Sequence, residues 1–521
     1  MTQSPFKKDG KTKSASKMPF RPVRTKRVKD EKEKHMTERQ IAARRRQLQE
    51  NRQKKQAGSV SAGSSSGGLL VKRDPERVRI TNLIVDELAR AYAVILKLDG
   101  PADRLMKAFF KSNPKLGSRD RTILAEAIFY GLRHLAGIRH RMHPVKPEKA
   151  PRVAALITLA LQYGREALID QVLGREKGPV TNMLAVDMAK APAWVAAEMP
   201  QWLYERITAQ YKDEAPAIFE ASLKGAPLDL RVNTLKAKRE DVLEELAAHH
   251  VEAQPMRFSP DGIRLLDKPG LIRWPMYQEG RIDVQDEGSQ LIARLLSPRR
   301  GEMICDFCAG AGGKTLAVGA LMRSTGRLYA FDINEKRLAA IKPRLRRAGL
   351  TNVHPIAIRD EHDNHVKRLR GKFDRVLVDA PCTGTGTLRR NPDLKWRLSL
   401  EELQRINAVQ KSVLEEASKL VKAGGRLVYA TCSMLEEENQ AVVDDFLSRH
   451  PEFERINATD VLAKQGVALP ADQKALAGDD FVMLPNRDDT DGFFAAVLVK
   501  SAANPQKAEK PDNDEKAQKA D

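Results

Sequence analysis

Two cysteines fifty positions apart, Cys382 and Cys432, each stand in a turn that breaks off an apolar run. The first turn is Asp379-Ala-Pro-Cys382-Thr-Gly384-Thr-Gly386, which follows Arg375-Val-Leu-Val378. Three consecutive apolar residues read as a buried strand, and Pro381 with the two glycines forbids its continuation. Such a turn displays a carboxylate and a thiol together. The second turn is Tyr429-Ala-Thr431-Cys432-Ser433-Met-Leu-Glu436, at the end of a strand expected to neighbour the first. Ser433 and Glu436 have capping-box spacing, which would put Cys432 just before a helix amino terminus. A thiol there is biased toward the nucleophilic thiolate, with Glu436, Glu437 and Glu438 partly opposing the effect. A lone buried cysteine is usually inert packing. Two on adjacent strand ends, beside a carboxylate, point instead to covalent chemistry.

A third turn offers a cofactor site. Ile304-Cys-Asp306-Phe-Cys308-Ala309-Gly310-Ala311-Gly312-Gly313-Lys314-Thr315 reads as a strand, a glycine turn and the start of a helix. Glycines let a ligand approach the backbone without Cβ obstruction. The next strand, Arg327 to Asp332, ends in a carboxylate twenty positions after Gly312, a spacing that suits an adenosine ribose. By itself this turn fits a nicotinamide enzyme as well as a methyltransferase. It lacks G-x-G-x-x-G, and the first Walker glycine would fall at Cys308, which disfavours a nucleotide triphosphatase. Cys305 and Cys308 mimic half of a zinc ribbon, but no second close pair follows, so no metal is expected.

The elements around these turns alternate. A helix over Asn334–Ala348 precedes a strand at Val353–Ile358, with Asp360 just beyond it. The strand Arg375–Asp379, a helix over Ser399–Val421 and a strand at Arg426–Ala430 continue the series. Such βαβ repetition predicts an α/β fold with a parallel, doubly wound sheet.

The 521 residues allow about three domains. A formal charge of +21 points to a polyanionic partner, nucleic acid first and an anionic membrane surface second. There is no apolar run long enough to span a membrane and no signal-peptide core, and four cysteines in so long a chain suit a reducing setting. A cytoplasmic protein with no membrane partner is expected. Residues 1–75 read as a basic tail, with nineteen Lys/Arg against six Asp/Glu up to Lys55, followed by a Ser/Gly linker at Gly58–Gly68. The tail is either an electrostatic tether for RNA or solvated chain without a specific site. Residues 76–225 carry helical periodicity, broken at Pro101, Pro114, Pro144 and Pro192. Arg119, Arg121, Arg133, Arg139 and Arg141 crowd one part of that region, as an RNA surface or a solvated face. Residues 226–300 read as a small α/β unit whose first strand turns Arg231 and Asn233 outward, toward a nucleic acid backbone or simply along an edge. Residues 301–500 form the α/β catalytic unit and 501–521 a charged tail.

The combination of Cys308-Ala-Gly-Ala-Gly-Gly-Lys314-Thr315, Asp379-Ala-Pro-Cys382-Thr-Gly-Thr-Gly386 and Ala430-Thr-Cys432-Ser433 resembles the RsmB/Sun-type family of RNA cytosine-5 methyltransferases. Further matches are Arg231-Val-Asn233, Val284-Gln-Asp286, Arg390-Asn-Pro392-Asp393 with Lys395-Trp396, and Thr490-Asp-Gly492-Phe-Phe494. The resemblance covers about residues 228 to 500, and the helical region more loosely resembles a NusB-like RNA-binding domain. It implies a Rossmann-like class I methyltransferase domain with an N-terminal all-α domain and a small α/β domain between them. The loop departs from the commonest family form in having Gly310-Ala311 for Ala-Pro, and Arg359-Asp360-Glu361-His362-Asp363 replaces a simpler acidic turn.

By that resemblance Cys432 is the nucleophile that adds to cytosine C6, Asp379 binds the N3/N4 edge, Cys382 assists elimination and Lys314 lies near the ring. S-adenosylmethionine would lie against Cys308, Ala309, Gly310, Ala311, Gly312, Gly313 and Lys314, with Asp332 on its ribose and Arg337, Asp360 and Asp379 beside it. RNA is the implied partner, small-subunit ribosomal RNA first, with transfer RNA or large-subunit RNA as alternatives. An RNA-binding assembly factor with a vestigial site would not need Cys432, Cys382 and Asp379 together, and a nicotinamide oxidoreductase leaves both cysteine turns unexplained. Removing residues 1–75 should weaken RNA binding and flatten its dependence on salt concentration. An unchanged slope would leave the tail as solvated chain.

Overall fold

The computed structural model describes residues 80–502, apart from 165, 166, 169, 268 and 471–477. The tail expected at 1–75, its linker, and all but the first two residues of the tail expected at 501–521 lie outside the described residues.

The helical periodicity is realised as a bundle in which Asn82–Ile95, Ser118–Arg133 and Pro151–Tyr163 bury Val85, Leu88, Leu124, Ile128, Leu156 and Leu159 against one another. Thr81 caps the first of these helices by accepting from the Ile84 N–H. Pro101 precedes the helix Ala102–Ser112, and Pro144 follows Leu135–Met142, where a proline's missing N–H costs no ladder bond. Further helices lead to Ala215–Leu223. No helix among the described residues is long and apolar enough to cross a membrane.

A small antiparallel sheet follows: β1 (Leu228–Val232), β2 (Ala253–Pro255), β3 (Gly262–Leu265) and β4 (Ile282–Val284), in the order β2-β3-β1-β4. The helix Arg239–Ala248 contributes Val242 and Leu246 to a core with Leu230, Val232 and Ile263. Here the structure corrects the outward reading of Arg231 and Asn233. β1 is an interior strand, and both residues are buried. Arg231 Nε donates to Gln285 Oε1 at 2.6 Å, while Asn233 Nδ2 donates to the Gly280 and Ala348 carbonyls at 2.9 Å each. A strand covered on both faces gives its polar positions to internal bonds, not to a ligand.

The large sheet contains β5 (Met303–Asp306), β6 (Arg327–Asp332), β7 (Val353–Ala357), β8 (Phe373–Asp379), β9 (Val421–Thr431), β10 (Phe453–Ile456), β11 (Phe481–Met483) and β12 (Phe493–Lys500). Its order is β10-β12-β9-β8-β5-β6-β7, with β11 beside β12. The pairs from β9 through β7 are parallel, whereas β12 runs antiparallel to both β9 and β10. Strand order reverses between β5 and β8, which opens a crevice at the carboxyl ends. Successive residues of β8 feed opposite cores: Leu377 packs with Ile304, Leu291 and Val428, and Val376 and Val378 pack with Val413, Leu414 and Tyr429. Burial on both faces is why this strand reads as an unbroken apolar run. The helix expected over Asn334–Ala348 is two, Glu335–Ala339 and Ile341–Ala348, because Pro343 has no N–H for the Ala339 carbonyl.

The segment beyond the Cys382 turn pins the three regions together. Arg390 donates to Asp491 Oδ2 at 2.6 Å, Asp286 Oδ2 at 2.8 Å and the Pro227 carbonyl at 3.1 Å. Lys395 Nζ reaches the carbonyls of Arg133 and Glu198 at 3.0 and 2.5 Å, Trp396 Nε1 that of Leu132 at 2.7 Å, and the Ala102 N–H donates to Asp393 at 3.2 Å. Replacing Arg390 by alanine leaves the little-exposed side-chain carboxylates of Asp286 and Asp491 facing each other. The variant should lose about 3–5 kcal/mol of stability, read as a lower urea midpoint, with Arg390→Lys recovering less than half because a single ammonium lacks the fork.

Candidate active site

The parallel register of β8 and β9 sets Asp379 opposite Ala430, so the two cysteine turns leave the same edge of the sheet side by side. The sulfurs of Cys382 and Cys432 lie 3.3 Å apart. Both thiols are half-buried, whereas Thr383, Thr385, Thr431 and Ser433 around them are buried. The reactive groups therefore stand at the surface of a rigid base.

Glu438, fully buried, builds that base. Its Oε1 accepts from the Thr383 N–H at 2.7 Å and from Gln410 Nε2 at 3.0 Å, and its Oε2 from the hydroxyls of Thr383 and Ser433. Gln410 also holds the Pro381 carbonyl at 2.9 Å. One carboxylate thus ties the Cys382 turn to the Cys432 turn, and charge-assisted bonds of this kind are the stronger sort. The neighbouring Asn439 closes the second turn by donating to the Ser433 carbonyl at 3.0 Å and accepting from Thr431 Oγ1 at 2.6 Å. Gly386 completes the contact: its N–H donates to the Cys432 carbonyl at 2.9 Å, and a Cβ there would lie 2.1 Å from the Gly492 carbonyl oxygen.

The capping-box reading of Ser433 and Glu436 is overturned. A three-residue 3-10 turn spans Glu436–Glu438, and the next helix begins only at Gln440. The Ser433 hydroxyl is spent on Glu438, on Thr385 at 3.0 Å and on the Leu435 N–H at 3.1 Å. The helix-dipole argument for Cys432 goes with it. Glu438, read from sequence as an opposing charge, is the structural anchor. Its signal was present as an acid six positions after a cysteine turn, but nothing local revealed that it folds back inward.

At the switch point, β5 ends in Asp306 and the loop turns through Gly310 (φ 56°) and Gly312 (φ 85°) into the helix Gly313–Leu321. A side chain at Gly312 would be left-handed and would meet Ile341 at 2.3 Å. Asp332 supports the loop, with Oδ2 accepting from the Gly310 N–H and Oδ1 from the Asn334 N–H, both at 2.7 Å. Lys314, in the first turn of the helix, donates to Asp379 Oδ1 at 2.7 Å, and its Nζ lies 5.8 Å from the Phe493 ring centre. Thr315 donates to Asp306 Oδ2 at 2.6 Å, and Asp306 Oδ1 is buried without a hydrogen-bond partner among the described residues.

Electrostatics divide these groups. Burial, with the fields of Asp379 and Asp332 overcoming the Thr315 hydrogen bond and Lys314, pushes the Asp306 carboxyl up to about 7. Burial opposes the Lys314 charge, but Asp379 more than offsets it, helped by the Cys432 sulfur and Asp306, so the ammonium is held above the ordinary lysine range. Cys382 is pushed well up by its hydrogen bond with Cys432 and then by burial. Cys308 is pushed well up by burial and by Asp306, Asp379, Asp332 and Glu361. Neither Cys308 nor Cys382 is a thiolate at neutral pH.

The other sequence-derived positions sort as follows. Ala309, Gly310, Gly312 and Lys314 are buried in the loop, Gly313 is half-buried and Ala311 is exposed. Arg337 is exposed on the helix Glu335–Ala339, with its guanidinium against the Gly310 backbone, 2.7 Å from where a Cβ would sit. Beyond β7, Asp363 is committed to capping Asn364–Lys367, and the N–H groups of His365 and Arg359 hold its carboxyl well below the usual range. Asp360 Oδ1 accepts from the His362 N–H at 2.9 Å and remains half-buried. Three carboxylates at strand ends, one ammonium and a glycine loop suit a ligand that carries both positive charge and ribose hydroxyls, as S-adenosylmethionine does.

The comparisons agree with this geometry. Residues 293–499 match the family described as 16S rRNA methyltransferase RsmB/F, and residues 199–271 match its ferredoxin-like domain. A Bacillus subtilis protein named probable ribosomal RNA small subunit methyltransferase B is 31% identical over 428 residues, covering 76% of this chain and 94% of its own. Ribosomal RNA small subunit methyltransferase B of Yersinia pseudotuberculosis is 35% identical, covering 58% of this chain and 66% of its own. The crystal structure of a methyltransferase homologue from Pyrococcus horikoshii aligns at 29% identity with a TM-score of 0.50, covering 59% of this chain and 97% of that one. S-adenosylmethionine is the cofactor of this fold and family. The chain belongs to the RsmB/F family of ribosomal RNA methyltransferases.

Proposed function

We propose that this protein methylates C5 of a cytosine in small-subunit ribosomal RNA through a covalent bond between Cys432 and C6. The carrying observation is the pair of thiols 3.3 Å apart beside the Lys314–Asp379 pair. The helical region 76–225, NusB-like by resemblance, the small unit 226–300 and the methyltransferase domain 301–500 would together hold RNA in the cytoplasm, with the charged tails 1–75 and 501–521 before and after them in the sequence. Transfer RNA and large-subunit RNA are the alternative substrates of the same chemistry.

Cytosine C5 is too weak a nucleophile to be methylated directly. Addition of the Cys432 thiolate to C6 forms an S–C bond and pushes an electron pair toward C5. Asp379, with one oxygen engaged by Lys314, offers the other to the N3/N4 edge of the base, and the Lys314 ammonium faces the ring. When bound against Cys308–Lys314, Asp332, Arg337 and Asp360, S-adenosylmethionine supplies a methyl group made electrophilic by its sulfonium. Cys382 cannot act as a base while it carries its proton, and its hydrogen bond with Cys432 pushes its thiol up. Once Cys432 is bonded to carbon that bond is lost. Burial and Glu438 still push the Cys382 thiol up, so it passes its own proton to solvent before it takes the C5 proton, as the Cys432–C6 bond breaks and the thiolate leaves. This order keeps the two cysteines from exchanging roles. The target base must leave its stack to reach these groups, which favours loop or single-stranded RNA.

Bisulfite sequencing of RNA from cells carrying the wild-type protein should show a protected cytosine that disappears with Cys432→Ala, while cofactor binding by the purified variant is retained. Protection that survives Cys432→Ala would end the covalent scheme. Cys382→Ala should accumulate a protein–RNA adduct seen as a shifted band in a denaturing gel; normal turnover with no such band would remove Cys382 from elimination. Glu438→Gln puts an amide N–H against donors and loosens both turns. Its kcat should fall about 100-fold, with the KM for S-adenosylmethionine unchanged, since the glycine loop is built from other strands.

A further inference from the structure

Three of the four tryptophans, Trp194, Trp202 and Trp396, line one open cavity of about 830 Å³ between the helical region and the segment that follows the Cys382 turn. Its size falls within the range of ligand clefts, roughly 300–1,000 Å³. None of these rings has a part in the chemistry above. Arg139, Arg141 and His143 share the wall. Trp396 is a fixed platform: its Nε1 donates to the Leu132 carbonyl at 2.7 Å, and the Arg139 guanidinium lies 5.5 Å from its ring centre. Arg139 pairs with Glu148 at 3.0 Å. Arg141 donates to the Gly137 carbonyl at 3.3 Å, and its Nε is buried without a partner among the described residues. His143 is exposed. The wall therefore combines three indoles with two guanidinium groups, one of them paired with Glu148.

A purely apolar partner would leave those cations desolvated, and an acidic one would leave three indoles uncovered. A nucleotide uses both, because its base stacks on an indole while its phosphate meets a guanidinium. We propose that this cavity binds an unpaired nucleotide of the RNA substrate at a point separate from the target cytosine, and so sets which RNA is held. The inference rests on RNA being the substrate. It assigns a role to the Lys395-Trp396 pair beyond domain docking: Lys395 is committed to the carbonyls of Arg133 and Glu198, and thereby fixes the ring beside it.

The test uses the full-length protein in a Trp274→Phe background, so that all tryptophan emission comes from the cavity. Emission should be quenched saturably by an unstructured oligoribonucleotide, and far less by an RNA duplex or by adenosine monophosphate at the same concentration. Trp194→Leu and Trp202→Leu should each remove part of the quench and raise the KM for RNA about tenfold. Neither should change kcat or the yield of the Cys382→Ala adduct at saturating RNA, and Trp194→Phe, which keeps an aromatic face but not the emitter, should restore KM without restoring the quench. Unchanged KM in both leucine variants, or no quench by RNA while the wild type still methylates, would overturn the site. Equal quenching by free adenosine monophosphate with an unmoved KM would mark a free-nucleotide pocket and overturn the assignment to RNA. Failure of the cytosine-5 reading shows separately, as wild-type protein that binds RNA and methylates nothing.

Discussion

The parallel pairing of β8 with β9 is the constraint on which the rest depends. Because Asp379 sits in register with Ala430, turns of similar length bring two thiols to 3.3 Å although fifty residues separate them in the chain. A one-residue slip would reverse every side chain of β9 and send Leu427 and Tyr429 to the wrong cores. Burial of β8 on both faces fixes the register, and the Glu438 carboxylate then fixes the turns. The geometry of the thiol pair is in this sense inherited from packing.

Charge is arranged on the same scaffold. Three carboxylates, Asp306, Asp332 and Asp379, stand at strand ends around Lys314, and each influences the ionisation of a neighbour. Lys314 stays charged despite burial because Asp379 contacts it directly. Burial, with the same carboxylates adding to it, pushes the Cys308 thiol well up. The hydrogen bond with Cys432, and then burial, push the Cys382 thiol well up.

The segment from Arg389 to Trp396 couples this site to the rest of the molecule. Arg390 joins β12's approach to the small sheet, and Lys395 and Trp396 hold the helical region through backbone carbonyls. Bonds to main-chain carbonyls constrain position without demanding a particular partner side chain.

Much was legible in the sequence because it was local. Apolar runs cut short by Asp-Ala-Pro and by Gly-rich turns mark β5, β6, β8 and β9, and alternation with helices implies their parallel order. The residues of the glycine loop, Asp332, Asp379, Cys382 and Cys432 follow from their places at strand ends. What was not legible is long-range. Arg231 and Asn233 read as outward because periodicity reports two faces of a strand but not whether both are covered. Ser433 read as a cap because capping is judged over four residues, while its hydroxyl is claimed by Glu438 and Thr385 from other turns. Glu438 itself, the cavity lined by Trp194, Trp202 and Trp396, and the choice of Asp363 over Asp360 as a helix cap depend on which segments meet. Sequence by itself determined the chemistry available, since that is a matter of residue type and local turn. Tertiary structure alone decided which groups touch and which are spent on the scaffold, because burial and hydrogen-bond satisfaction are set by neighbours remote in the chain.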